Sequence, residues 1–266
     1  MAPAAATRLG VIGWPVAHSR SPAMQNAALA ALGLDGWRYQ LLPLPPGLLA
    51  ETVRALPGAG FAGANVTVPH KEAALALADE ATDAARAIGA ANTLTFRDGA
   101  ILAENTDAPG LIDALPAPLD GADAVVLGAG GSARAAAWAL REAGAGRVLV
   151  HNRTPERAER LAADLGDGIA VAATPPPAAV LVNCTTVGLH DPDASPIDLE
   201  ALDRYDAVVD LVYREGGTAL VRAARADGIP AVDGLEILVR QGARSLQIWT
   251  GRPAPVDVMR AAVSAP

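Results

Sequence analysis

Apolar runs of strand length alternate with amphipathic helical stretches along most of this chain, and the alternation predicts its architecture. Residues 8–12 form a short apolar run that stops at Gly13-Trp14-Pro15, and residues 37–44 read as a second strand. Residues 65–68 alternate polar and apolar, which reads as a strand with Asn65 and Thr67 on one face. Helical stretches lie at 23–32 and 51–56, and a third begins at Lys71, just after Pro69. Strands alternating with helices predict a mostly parallel sheet. Residues 92–105 break the rhythm, because two short strands flank Asp98-Gly99, a strong hairpin signal, and a helix is predicted from near Gly110. From Ala124 the alternation resumes with apolar, buried strands at 124–127, 147–151, 180–183 and 207–210. A last long helix is predicted over 235–249.

Composition narrows the class. Hydrophobic residues make up 51% and charged residues 19% of the 266 positions, a globular balance with chain enough for one large or two ordinary domains. A net charge of -8 and the lack of a basic run argue against a nucleic-acid-binding surface. Cys184 is the single cysteine, so no internal disulfide can form, which fits a reducing cytoplasm. The N-terminus lacks the basic-then-apolar order of a signal peptide, and no apolar stretch approaches the length of a bilayer span. His18, His70, His151 and His190 show no ligand spacing, so no metal is expected.

Several residues are candidates for chemistry. Lysine and arginine together number 21, and Lys71 is the one lysine. A lysine is a compact charge whose pKa can move, whereas arginine stays protonated. Retaining one lysine therefore points to a position that needs an ammonium; an incidental surface lysine is the alternative. In the first turn of a helix, the dipole disfavours the charged form by about 0.3–1 kcal/mol. Ser21 followed by Pro22 reads as a helix cap, although that leaves Ser19 and the surrounding polar cluster unexplained. Asp107 reads as the cap of the helix that follows it, a role that would also fix the orientation of its carboxylate. Gln241, three after Leu238 and four after Ile237, puts an amide on an apolar helix face. It needs a partner there, either a nearby loop or a polyol ligand. Cys184 reads as a small packed residue rather than a nucleophile.

A cofactor site is written more explicitly. Gly128, Ala129, Gly130, Gly131, Ser132 and Ala133 follow an apolar strand and open a helix, matching G-x-G-x-x-A. Glycines in that turn let backbone N–H groups approach a pyrophosphate at a helix N-terminus. About 20 residues on, where an acid would meet a ribose 2′-OH, the chain instead has Asn152, Arg153, Thr154 and Arg157. Guanidinium forks and neutral donors suit a 2′-phosphate, so NADP is expected over NAD. Arg157 could also be a solvated helical arginine. The ends of the strands at 180–183 and 207–210, with Thr186 and Val212 just beyond, are further places where ligands of open α/β sheets collect.

Taken in order from Gly13 to Gly251, these stretches resemble the shikimate dehydrogenases. Gly13 to Pro22 is similar to the substrate motif Gly-x-Pro-x-x-His-Ser-x-Ser-Pro, and Asn65 to Lys71 to Asn-Val-Thr-Val-Pro-x-Lys. Gly89 to Thr93 is similar to Gly-Ala-Ala-Asn-Thr, and Asn105 to Asp107 to Asn-Thr-Asp. The cofactor turn, Asn152 to Thr154, Asp210 to Tyr213 and the stretch from Asp233 through Gln241 to Gly251 also match.

The resemblance implies a two-domain α/β fold. An N-terminal open α/β substrate domain would span residues 1–107, completed by C-terminal helices of 238–266, and a Rossmann-type NADP-binding domain would span 108–237. The implied reaction is the reversible NADPH-dependent reduction of 3-dehydroshikimate to shikimate, with Lys71 and Asp107 as the catalytic pair. Ser19, Ser21, Asn65, Thr67, Asn92 and Gln241 would hold the carboxylate and hydroxyls, with Tyr213 and Gly234 near the join of substrate and nicotinamide. The helix terminus favours a neutral Lys71 and the carboxylate of Asp107 a charged one, and both remain open. Gln25, Arg214-Glu-Gly-Gly and Glu236 depart from the family pattern and bear on local loop geometry. The alternatives are a quinate or aminoshikimate dehydrogenase and a noncatalytic NADP-binding paralogue. Monomer and homodimer are both compatible with the sequence.

Overall fold

The structure is a computed structural model that describes residues 7–264; the N-terminal stretch 1–6, where no signal peptide is expected, lies outside the described residues. The chain divides into two compact units. One takes the described residues up to Thr106 and again from Val239, and the other takes Asp107–Leu238.

The first unit opens with β1 (Thr7–Gly13), α1 (Ser21–Ala31), β2 (Trp37–Pro43), α2 (Leu49–Ala55) and β3 (Phe61–Val66). It continues with α3 (Lys71–Leu77), β4 (Glu80–Ala81), α4 (Asp83–Ile88), β5 (Thr93–Arg97) and β6 (Ala100–Glu104). The second unit holds α5 (Asp107–Ile112), β7 (Ala124–Leu127), α6 (Gly131–Glu142), β8 (Val148–His151) and α7 (Pro155–Leu165). After these come β9 (Ile169–Val171), β10 (Ala178–Asn183), β11 (Tyr205–Asp210), α8 (Ala219–Ala226) and β12 (Ala231–Val232). The helix α9 (Gly234–Thr250) starts in the second unit and ends in the first, and α10 (Val256–Ser264) closes the described chain.

The first sheet runs β2-β1-β3-β5-β6-β4. The strand β1 is parallel to β2 and β3, while β5 is antiparallel to both β3 and β6. The carboxyl ends of β1, β3 and β6 and the amino end of β5 therefore share one edge of the sheet. Register makes this concrete: Val11 faces Asn65, Asn65 faces Thr93, and Thr93 faces Glu104. The hairpin between β5 and β6 turns at Asp98 (φ 53°) and Gly99 (φ 81°), the left-handed pair that a tight two-residue turn requires.

Several predicted boundaries move by one to three residues, and two of them bear on the candidate residues. The strand β3 ends at Val66, not Val68, because His70 N–H donates to the Thr67 carbonyl at 2.9 Å and closes a turn that takes Thr67 off the strand. The helix α5 begins at Asp107 rather than near Gly110, with Pro109 in its first turn, where a missing N–H costs nothing.

Apolar residues of β1, β3, α2, β5 and β6, among them Ile12, Val53, Val66, Leu94 and Ile101, fill the core of the first unit. The C-terminal part of α9 packs on the same sheet. Trp249 Nε1 donates to the Leu94 carbonyl at 3.1 Å, directly over Gly63, where an added Cβ would strike the indole and lie 2.6 Å from the Leu94 oxygen.

The second sheet runs β12-β11-β10-β7-β8-β9 with every pairing parallel. Strand order reverses between β7 and β10, and ligands of open α/β sheets bind outside the carboxyl ends at such a switch point. Val125, Leu127, Leu181, Val208 and Leu220 form its core. Asp233 Oδ1 accepts from the N–H groups of Leu235 (3.1 Å) and Glu236 (3.3 Å), which sets the start of α9. Among the described residues, no helix is long and apolar enough to cross a membrane.

Because neither the Leu94 carbonyl nor the indole can yield cheaply, Gly63→Ala is expected to destabilise the protein by about 1–3 kcal/mol. Gly58→Ala, where an added Cβ meets nothing within 4 Å, serves as the control and is expected to stay within about 0.5 kcal/mol. Urea unfolding midpoints of the two variants check both values.

Candidate active site

The shared edge of the first sheet carries Asn65, Thr67 and Asn92, and the segment after β1 carries Ser19 and Ser21. Ser21 opens α1 but does not cap it: Arg20 occupies the N-cap position, and its side chain makes no capping bond. Instead Ser19 Oγ accepts from the Ser21 N–H at 3.3 Å and donates to Ser21 Oγ at 3.1 Å, so the two hydroxyls form a coupled pair. Arg20 Nη1 donates to the Val263 carbonyl at 2.5 Å, which ties this loop to α10. The loop after β1 also lies against the turn after β3. The Trp14 N–H donates to the Val68 carbonyl at 3.0 Å, and a Cβ on Gly13 would sit 2.5 Å from Thr67 Cγ2. Thr67 is half-buried beside it.

Lys71 is the first residue of α3 and only 8% exposed, which removes the incidental surface lysine as a reading. Its carbonyl accepts from the Ala91 N–H at 2.9 Å, so the residue before Asn92 is bonded to it. Asp107 is the first residue of α5 and half-buried, inside the helix rather than capping it from outside.

Asn92 is buried and joins the loops. Its Oδ1 accepts from the Thr106 N–H at 2.7 Å, and its Nδ2 donates to Thr106 Oγ1 (2.9 Å) and Gln241 Oε1 (3.1 Å). Gln241 therefore has a protein partner for its oxygen. Asn65 is buried two strands from Glu104, in the same polar cluster. Of the positions that depart from the family pattern, Gln25 is fully buried, and its Nε2 donates to the Gly242 carbonyl at 3.0 Å while Oε1 has no partner.

In the second unit, Gly128 (φ 108°) turns the chain out of β7 against the exit of β10. A Cβ there would lie 3.2 Å from the Cys184 carbonyl group. Gly130 is the N-cap of α6, a position where an added Cβ would meet open space, and Gly131 begins the helix. Ala129 precedes that cap, Ser132 and Ala133 follow in the first turn, and no acid stands there. An open, acid-free helix N-terminus lined by backbone is the shape a pyrophosphate requires, so these residues fit a dinucleotide.

At the end of β8, Asn152 Nδ2 donates to the Thr154 carbonyl at 2.8 Å, and Thr154 leads into α7. Arg153 and Arg157 are exposed, and among the described residues neither guanidinium has an ion-pair partner. Thr186 is exposed after β10, and Cys184 beside it is half-buried. Among the described residues, no cluster of three or more His, Cys, Asp or Glu could hold a metal ion.

Asp210 organises the loop that carries Val212 and Tyr213, a role the sequence showed only as a polar residue ending an apolar strand. It is fully buried. Its Oδ1 accepts from Asn183 Nδ2 (2.8 Å) and the Val212 N–H (3.0 Å), and its Oδ2 accepts from Thr218 Oγ1 (2.7 Å). Burial raises its pKa from the ordinary 3.8 to about 6, against the lowering effect of those three bonds. Arg214, another departure, donates from Nη1 to the Gly188 carbonyl at 3.0 Å and so joins this loop to the one that carries Thr186. Tyr213 is half-buried between these anchors. Gly234 has a packing reason: a Cβ would come within 2.5 Å of the Leu211 carbonyl oxygen.

Family profiles match three stretches of the chain. Residues 11–94 match the shikimate dehydrogenase substrate binding domain, 113–176 the shikimate / quinate 5-dehydrogenases, and 234–263 the shikimate 5′-dehydrogenase C-terminal domain. A shikimate dehydrogenase (NADP(+)) of Thermus thermophilus is 48% identical, over 96% of this chain and 97% of its own length. A crystal structure of shikimate 5-dehydrogenase from the same species in complex with NADP(H) and shikimate is similar with a TM-score of 0.87 and 43% identity, covering 97% of this chain and 98% of that one. The ligand-free 5-ketofructose reductase of a Gluconobacter species is similar with a TM-score of 0.86 and 32% identity, covering 98% and 99%.

Asp210 gives stability a pH dependence whose sign follows from its raised pKa. Between about pH 4 and about pH 6 the folded state holds a proton that the unfolded chain releases, so stability from this group is full at the acid end and lost as pH rises. The loss is about 2–3 kcal/mol. Asp210→Asn cannot titrate, and its amide N–H groups would face donors, so it is expected to be less stable overall. Its stability relative to wild type should nevertheless improve from pH 4 to pH 6, as measured by urea unfolding across that range.

Proposed function

The chain belongs to the shikimate dehydrogenase family, and we propose that it catalyses the reversible NADPH-dependent reduction of 3-dehydroshikimate to shikimate, a step towards the aromatic amino acids. The observation that supports this reading is the burial of the single lysine in a unit whose buried polar cluster is built of hydroxyl and amide side chains. Converting a ketone to an alcohol needs hydride at carbon and a proton at oxygen. Lys71 is the proton carrier in this proposal: its ammonium gives the proton to the carbonyl oxygen in reduction, and the amine takes it back in oxidation. Asp107 orients that ammonium. Positioned general acids of this kind are worth about 10²–10⁴ in rate.

The paired hydroxyls of Ser19 and Ser21 are donors suited to the substrate carboxylate. Asn65, Thr67, Asn92 and Gln241 supply partners for the carboxylate and ring hydroxyls, and Tyr213 belongs near the join of substrate and nicotinamide in this reading. NADP(H), when bound, supplies or takes up the hydride. Gly128, Ala129, Gly130, Gly131, Ser132 and Ala133 would hold its pyrophosphate, and Asn152, Arg153, Thr154 and Arg157 its 2′-phosphate. Thr186, Val212 and Gly234 would line the nicotinamide end. A related fold serves a 5-ketofructose reductase, so substrate choice rests on these side chains and not on the architecture. The lone, half-buried Cys184 suits a reducing compartment, and we place the enzyme in the cytoplasm.

Purified protein is expected to form NADPH from shikimate and NADP+, with quinate or NAD+ giving slower turnover; no NADPH from shikimate would sink the proposal. Lys71→Ala should lower kcat by about 10²–10⁴. Lys71→Arg should not restore it, because a guanidinium does not release its proton. Arg153→Ala should raise KM for NADP+ by about 10- to 100-fold and leave NAD+ kinetics unchanged, the effect of losing one charged contact. Steady-state rates with both cofactors decide the point.

A further inference from the structure

Within the substrate set, Asn65 has its hydrogen-bonding capacity almost filled by protein. Its Oδ1 accepts from the Tyr39 hydroxyl at 2.8 Å. Its Nδ2 faces three acceptors: Ser245 Oγ at 2.9 Å, the Asn92 carbonyl at 3.1 Å and Thr93 Oγ1 at 3.2 Å. A carboxamide has two N–H hydrogens and two oxygen lone pairs. Both hydrogens are thus committed inside the protein, and one lone pair on Oδ1 remains. Turning the amide over would set Oδ1 against the Asn92 carbonyl and the lone pairs of Ser245 Oγ and would take it from the Tyr39 hydrogen, so these partners together hold its polarity.

Ser245 completes the clamp. It lies on α9 one turn after Gln241 and is 0% exposed. Its hydroxyl donates its one hydrogen to the Gln241 carbonyl at 3.1 Å, so towards Asn65 it can only accept. The hydroxyls of Thr93 (2.9 Å) and Thr106 (3.1 Å) crowd the same oxygen. Tyr39 is held from the other side, its ring 6.2 Å from Trp249 and tilted at 45°.

We infer that Tyr39 and Ser245 are positioning residues that lock the polarity of Asn65, so that this position reads only a substrate hydroxyl that donates its hydrogen. The inference rests on Asn65 contacting the substrate as proposed above. It makes Asn65 a filter for polyol acids: a ring hydroxyl at the matching position is accepted, whereas hydrogen, fluorine or an oxo group there is not.

The test compares wild type, Tyr39→Phe and Ser245→Ala with shikimate and with analogues in which each ring hydroxyl in turn is replaced by hydrogen or by fluorine. In wild type, one position should be found where fluorine is as damaging as hydrogen. In both variants KM for shikimate should rise about three- to tenfold, the effect of one neutral hydrogen bond. KM for NADP+ should not change, kcat should stay within about twofold, and the penalty at that one position should shrink by the same factor. A lowered melting temperature with unchanged selectivity would mean that the two hydroxyls only build the core, and would overturn the inference. So would a wild type that tolerates fluorine at every position. Tyr39→Phe keeps the ring against Trp249 and decides the matter alone if Ser245→Ala does not fold. A wild type that fails to oxidise shikimate at all removes the activity proposed above and this inference with it.

Discussion

Burying an amide commits a protein to supplying its partners, and much of the first unit follows from meeting that requirement for Asn65, Asn92 and Gln241. An unmet donor or acceptor costs about 1–3 kcal/mol, so three carboxamides in one buried cluster are tenable only if the cluster closes on itself. It closes by drawing on β2 for Tyr39, β5 for Thr93, the end of β6 for Thr106 and α9 for Ser245. The same requirement explains why a helix from the far end of the chain belongs with the N-terminal sheet. Without Ser245 and Gln241, Asn65 and Asn92 would each lose one acceptor of their amide hydrogens. Trp249 and Gly63 then set how closely that helix can approach.

The second unit solves a comparable problem with a charge. Asp210 ends a strand buried on both faces, and its carboxylate is tolerated because Asn183, the Val212 N–H and Thr218 all point donors at it. Those donors are spread along a loop, so satisfying the carboxylate also fixes the loop. A parallel sheet with an irregular connection after its strand gains order at the place where α/β sheets bind ligands. Arg214 adds a second tether to the neighbouring loop.

Lys71 and Asp107 are alike in local structure and opposite in electrostatics. Each is the first residue of a short helix. Lys71 is buried, whereas of the described arginines that carry the rest of the positive charge only Arg134 is, and Arg134 is paired with Asp164.

The sequence by itself determined the alternation of elements, the hairpin at Asp98-Gly99, the glycine turn after β7 and the identity of the buried lysine. These depend on local periodicity, on glycine's access to left-handed backbone and on residue chemistry, all of which are written within a few positions of one another. It misjudged Ser21 as a cap, the end of β3 and the start of α5, because turn hydrogen bonds such as His70 to Thr67 compete with propensity over one or two residues. Only the tertiary structure decided which partners each buried polar group finds. Tyr39, Asn65, Thr93, Thr106 and Ser245 are scattered through the chain, and no local pattern marks them as a set. Strand order, register and the return of α9 link them through hydrogen bonds of 3.2 Å or less. Asp210 is the same case: its place at a strand end was legible, and its three donors were not, because contacts between distant segments are decided by how the sheets assemble.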